Sequence, residues 1–271
     1  MKKIAVINDL SGLGRCSLTA AIPVISVMGI ECCPLPTAIL SNQTGYDSFF
    51  CDDYTDKMDC FFEEWKKLEI NFDAVLTGYL ANYKQAEKII EFLKKFKTPD
   101  TLFFCDPVMA DDGKIYDTYD KTLCGEIKKL SGMADIITPN LTELCILTDT
   151  DYCEISKKNT DEISKLAKSL LSDTLKTVIV TGVHQNNLIS NIIVTKAETR
   201  VVSSNAIGGS YSGTGDIFSA VVCGKTIKGE SPFKATAAAV EFLSKSIESS
   251  YKNNTDRNDG VDFEKYLGML L

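Results

Sequence analysis

A chain of 271 residues that is 44% hydrophobic can bury a substantial core, and 29 basic against 37 acidic residues leave a formal charge of −8. No block of lysine or arginine offers the phosphate-neutralising surface of a nucleic-acid binder, and no run approaches the roughly 20 apolar residues of a membrane-spanning helix. A single histidine, His184, removes most hydrolytic triads, two-histidine metal sites and histidine proton shuttles, so proton transfer falls to Asp, Glu, Lys, Tyr or Cys.

In chain order, the two lysines and short apolar run that end at Asn8 and Asp9 read as a first strand (3–7) rather than a signal peptide, and a cytoplasmic protein is expected. A helix over 17–28 follows the glycines at 12 and 14, and a short strand occupies 31–35. Phe61, Phe62, Trp65 and Leu68 recur at helical spacing over 57–68, a stripe that fits a core-facing helix better than a cofactor box. Next come a strand at 74–77, a helix at 84–96, a strand at 101–105 ending in Asp-Pro, a helix at 121–130, a strand at 135–138 and a helix from 141 to 147.

The second half continues with a helix at 161–171, a strand at 177–180 and an antiparallel pair at 191–195 and 199–202. A glycine-rich loop at 208–215 leads into a helix through Ile227, and Pro232 sits in the first turn of a helix to residue 249. A polar loop spans 252–260 and a short helix closes the chain. His184 is expected in a polar loop without a role. The ten cysteines include no C-x-x-C pair, and Cys105, Cys145 and Cys223 fall in apolar segments, which reads as reduced core thiols. Strand–helix alternation predicts an α/β fold over residues 1–271, a single domain with a largely parallel sheet covered on both faces.

Ligands of open α/β sheets bind beyond the carboxyl ends of the strands. Asn8-Asp9, Thr77-Gly78-Tyr79, Asp106-Pro107, Thr138-Pro139-Asn140 and Thr181-Gly182 stand at those ends. Singly each is an ordinary cap; five along one edge point to a ligand. The sharpest segment runs from Gly208 through Gly213-Thr214-Gly215-Asp216 into an apolar helix. Glycines let backbone amides approach a phosphate, and a helix start aims its amides and positive dipole end at it. Asp216 beside that anion site can take a proton from an attacking hydroxyl while the amides of 213–215 stabilise the transferred phosphoryl group, with the Thr214 hydroxyl as a further donor. The plainer alternative is a flexible loop with an aspartate that complements the helix dipole. A second glycine loop, 11–17, reads G-x-G-x-x-S, and the following strand carries no acidic residue to hold a ribose. It fits a loop closing over a substrate better than a nicotinamide site.

Gly213-Thr214-Gly215-Asp216 and the order of segments resemble the ribokinase-like superfamily. Within it, the S-N-Q-T-G-Y segment at 41–46, Gly78-Tyr79-Leu80, the C-D-P-V-M segment at 105–109 and the stretch 134–144 with its P-N-L-T-E-L core resemble the pyridoxal (vitamin B6) kinases. The similarity runs from residue 4 to about residue 250. That resemblance implies a three-layer ribokinase-like fold and ATP-dependent phosphorylation of the 5′-hydroxymethyl group of pyridoxal, pyridoxine or pyridoxamine. It also implies Mg²⁺, often with a monovalent cation such as K⁺, and a homodimer. By position, Asp216 matches the base and Gly213, Thr214 and Gly215 the anion hole. Thr44 and Tyr79 match the pyridine pocket. Asp106, Thr138, Asn140 and Glu143 match the nucleotide and metal side, with Asp106 and Glu143 as the metal carboxylates, and Thr181 and Ser212 match ATP contacts.

Two positions depart from the family. Asp9 stands where a serine contacts the pyridine, and Leu40 where an aromatic stacks on the ring. A hydroxymethylpyrimidine kinase is the nearest alternative, and a non-catalytic vitamer-binding protein the alternative of another class. Residues 44–54 and the loop at 111–113 are the segments expected to close over the site.

Overall fold

Apolar residues alternate along β1 (Lys3–Ser11), and the two sets face opposite layers. Ile4 and Val6 join one core, Ala5 and Ile7 the other. The computed structural model describes residues 1–271. After β1 it contains α1 (Ser17–Val27), β2 (Glu31–Leu40), β3 (Cys51–Asp53), α2 (Thr55–Lys67), β4 (Ala74–Thr77), α3 (Tyr83–Phe96) and β5 (Leu102–Cys105). A small hairpin, β6 (Ala110–Asp111) and β7 (Lys114–Ile115), precedes α4 (Lys121–Met133), β8 (Ile136–Ile137), α5 (Leu141–Thr148), α6 (Tyr152–Ile155) and α7 (Thr160–Ser169). Then come β9 (Thr177–Gln185), β10 (Leu188–Thr195), β11 (Thr199–Asn205), α8 (Thr214–Ile227) and α9 (Pro232–Lys252), and two 3₁₀ turns, Arg257–Asp259 and Glu264–Leu270.

Nine strands form one sheet in the order β11-β10-β9-β8-β5-β4-β1-β2-β3. Strands β2, β1, β4, β5, β8 and β9 run parallel, while β10, β11 and β3 are antiparallel to their neighbours. One face packs on α2, α3, α4, α5 and α7, the other on α1, α8 and α9. The expected three-layer α/β architecture is therefore what forms.

Several strands outrun the apolar signal that announced them. β1 continues through Asn8 and Asp9 to Ser11, with a register irregularity between Asn8 and Leu10. β2 continues to Leu40 despite Pro34 and Pro36, because its outer edge is unpaired until Ala38 meets β3. β9 continues to Gln185, so His184 is not in a loop: it stands exposed in the strand opposite Ile189. Asn186 in the left-handed region makes the turn that allows this extension. The α2 stripe is core as expected for Phe61, Phe62 and Trp65, but Leu68 is the C-cap and 69% exposed, one step beyond the face it was assigned to. The loop expected at 111–113 is the tip of the β6–β7 hairpin, with Asp112-Gly113 as its turn.

Candidate active site

Parallel pairing brings the carboxyl ends of β1, β4, β5 and β8 to one edge, and α8 opens among them. Gly213 is the N-cap of α8 at φ +78°, and a Cβ there would lie 2.0 Å from the Arg15 carbonyl oxygen. Only glycine satisfies both the conformation and the approach. The helix therefore starts with no side-chain cap, its first-turn amides lack intrahelical partners, and Gly215 is exposed. The Thr214 hydroxyl bonds the Tyr211 carbonyl at 3.1 Å and shapes the loop.

Asp216 occupies the third helical position. Its carboxylate accepts the Asn8 Nδ2–H at 2.9 Å. Burial pushes its pKa up, opposed by the Ser17 backbone amide and the Asn8 side chain. Asp106, after β5, accepts the Ser219 hydroxyl at 2.9 Å, and burial reinforced by the charge of Asp216 pushes it to about 7. The Thr138 and Ser219 hydroxyls are 3.0 Å apart. Asp106 and Asp216 line a cavity of about 10 Å³ together with Asn8, Thr77 and Ser219.

Asn140 caps α5 and, with Glu143, completes a capping box. Glu143 is 4% exposed and its two oxygens accept the amides of Met109 at 3.0 Å and Asn140 at 2.9 Å. Burial, with the charge of Asp106 second, holds its pKa well above the ordinary range. Each oxygen of an ionised carboxylate has a further lone pair. Asp106 and Glu143 are buried oxygen donors, and the charge of Asp106 raises the proton affinity of Glu143; such a pair suits a hard divalent cation that keeps several waters. Thr181 lies alongside, bridged to Asn140, with its amide on the Pro139 carbonyl. The Ser212 amide is held by the Arg257 carbonyl at 2.9 Å.

On the other flank, Tyr79 is half-buried against Tyr119, and its amide bonds Asn8 Oδ1 at 2.8 Å. Thr44 is exposed on the loop 41–48 and does not join the buried cluster. Gln43 and Tyr46 instead anchor that loop, through the Asn258 carbonyl and the Asp259 carboxylate. Leu40 is buried. The 11–17 loop walls the site and is anchored to the C-terminal turns. Arg15 ties it to Glu264 and Asp262, its amide bonds the Asp259 carbonyl, and its backbone packs on Gly213. Sequence reasoning did not single out Ser219 or residues 257–259, which carry no local motif, and met Ser17 only as the end of the 11–17 glycine loop.

Asp9 is 6% exposed at the β1 irregularity and accepts the Ser11 hydroxyl at 2.9 Å. Burial pushes it up to about 6, opposed by the Ser17 hydroxyl and assisted by the charge of Asp216. A folded-state value above the unfolded one gives stability present near pH 4 and lost as pH rises through about 6. Asp9→Asn will therefore gain on the order of 2–3 kcal/mol over the original chain near pH 8. That advantage will vanish near pH 4 in paired urea titrations. A gap of equal size at both values would refute the assigned burial penalty.

A model of the phosphomethylpyrimidine kinase family matches residues 18–260. A Bacteroides thetaiotaomicron crystal structure, named provisionally as a phosphomethylpyrimidine kinase, is 38% identical with a TM-score of 0.96, covering 99% of this chain and 93% of that one. An orthorhombic form under the same description, with pyridoxal, gives 0.94 at 38% identity over 99% and 95%. Pyridoxal kinase from Lactobacillus plantarum gives 0.91 at 27% identity over 100% and 97%. By sequence, pyridoxal kinase of Dictyostelium discoideum is 27% identical over 218 residues, 74% of this chain and 70% of that protein.

Proposed function

The chain belongs to the phosphomethylpyrimidine kinase family, within the ribokinase-like superfamily, and from that premise we propose that it phosphorylates the 5′-hydroxymethyl group of a B6 vitamer with ATP. The observation that carries the reading is the opening of α8, where free first-turn amides stand beside the Asp216 carboxylate. Its likeness to two pyridoxal kinases, and to a crystal form holding pyridoxal, supports the vitamer as acceptor and a role in pyridoxal 5′-phosphate salvage.

In the reaction, Asp216 accepts the proton of the substrate hydroxyl as that oxygen bonds the γ-phosphorus. The bond from phosphorus to the β,γ-bridging oxygen breaks and ADP leaves. The amides of Gly213, Thr214 and Gly215 stabilise charge on the phosphoryl oxygens. Asp106 and Glu143 would hold Mg²⁺, which supplies charge neutralisation on the β- and γ-phosphates. Thr138, Asn140, Thr181 and Ser212 line the nucleotide side, while Asp9, Thr44 and Tyr79 serve the ring. Family resemblance supports a cytoplasmic homodimer and a monovalent cation such as K⁺; no helix is long and apolar enough to cross a membrane.

The family description favours one second reading, a hydroxymethylpyrimidine acceptor, which presents the same primary alcohol on a different heteroaromatic ring. ADP release measured with pyridoxal, pyridoxine, pyridoxamine and hydroxymethylpyrimidine decides between them. Turnover is expected with at least one vitamer at higher kcat/KM than with the pyrimidine. The reverse order would establish the second reading, and tight vitamer binding without ADP release would make the chain a binder rather than an enzyme.

A further inference from the structure

The side chain of Asn8 is the point where the proposed base and the proposed ring pocket meet. It is 5% exposed. Its Nδ2–H donates to Asp216 Oδ1 at 2.9 Å, and its Oδ1 accepts two backbone amides, Tyr79 at 2.8 Å and Asp9 at 3.0 Å. Two N–H donors on one side dictate the amide's orientation: the oxygen must face them, which turns the NH₂ toward the carboxylate. Gly78 lies against the same group, and a Cβ there would come 2.5 Å from Asn8 Nδ2. The absence of a side chain at 78 is thus what gives the amide its place.

From this geometry, and resting on the kinase reading above, we infer that Asn8 is a positioning residue for phosphoryl transfer, holding Asp216 with its donor half and the Tyr79–Asp9 wall with its acceptor half. The Ser17 backbone amide, from α1, also lowers the proton affinity of that carboxylate. A carboxylate has roughly four acceptor sites, and those that Asn8 leaves open are free for a substrate hydroxyl. Asn8 need not touch the substrate. It couples the orientation of the base to the backbone that bounds the ring.

The two halves can be separated chemically. Asn8→Asp keeps an acceptor for both amides but cannot donate to an ionised Asp216, whereas Asn8→Ala removes both functions. In steady-state assays with the full chain, Asn8→Asp is expected to lose about 10- to 100-fold in kcat, with vitamer KM within about threefold. Asn8→Ala is expected to lose as much kcat and in addition to raise vitamer KM by roughly tenfold, because the Tyr79 amide is left without its partner. Gly78→Ala, which crowds the amide without altering it, should reproduce the kcat loss and serves if a position-8 variant does not fold. An Asn8→Asp kcat within twofold of the original chain, or a loss confined to KM, would overturn the inference while leaving the kinase reading intact. If the unaltered chain releases no ADP with any vitamer or with hydroxymethylpyrimidine, the kinase reading falls and the inference falls with it.

Discussion

Asp216→Asn will lower kcat by on the order of 10²- to 10⁴-fold while leaving ATP affinity within a few-fold. The substitution is nearly isosteric and keeps an oxygen to accept from Asn8, so the opening of α8 and its free amides persist. What it removes is the lone pair that takes the substrate proton. The pH profile offers a second check with a defined sign. Burial raises the proton affinity of Asp216, and the base acts only when ionised. Turnover of the unaltered chain should therefore climb with pH through a limb lying above the ordinary carboxylate range, and the variant should lack that limb. Near-normal turnover in Asp216→Asn, with ATP binding followed by calorimetry, would remove this residue from the chemistry.

Gly213→Ala is expected to damage both the fold and the activity. Its φ of +78° lies where an L side chain is strained by roughly 1–2 kcal/mol. The added methyl would also meet the Arg15 carbonyl at 2.0 Å and the Cys16 Cα at 2.8 Å, both of them backbone atoms that cannot swing aside. Overpacking of this kind costs about 1–3 kcal/mol. Together these predict a destabilisation of about 2–5 kcal/mol, read as a lower midpoint in urea. The same displacement moves the amides of the α8 opening relative to Asp216, and kcat/KM should fall at least about 100-fold even under conditions where the variant is folded. A variant with unchanged midpoint and activity would mean that the 11–17 loop yields freely, contrary to its anchoring by Arg15.

The parts of this molecule that were readable in the sequence are those whose cause is local. Strand–helix alternation, the apolar face of α3 and the proline start of α9 each follow from neighbouring residues, and each forms where it was placed within a few positions. The glycine loop into α8 was readable because a positive φ and a bare helix start leave a compositional trace. Strand ends were less readable: Asn8 and Asp9 look like the end of a strand, yet β1 continues to Ser11, because their polar groups are satisfied across the site rather than by solvent. Ser219 looks like an ordinary helical serine, and its partner Asp106 lies on another element, 113 residues away. The P-N-L-T-E segment, which the family resemblance makes nucleotide and metal ligands, is equally a helix cap: Glu143 accepts the Asn140 amide in that capacity, and the Met109 amide from across the site.

The short turn Arg257–Asp259 holds the phosphate loop through the Ser212 amide, the ring-side loop through Gln43 and Tyr46, and the 11–17 wall through the Arg15 amide. Three consecutive residues thus fasten both ends of the reacting pair. Anyone redesigning residues 41–48 to admit a different ring must preserve the anchors at 43 and 46, because a graft that frees them also unfastens the turn on which the phosphate loop rests.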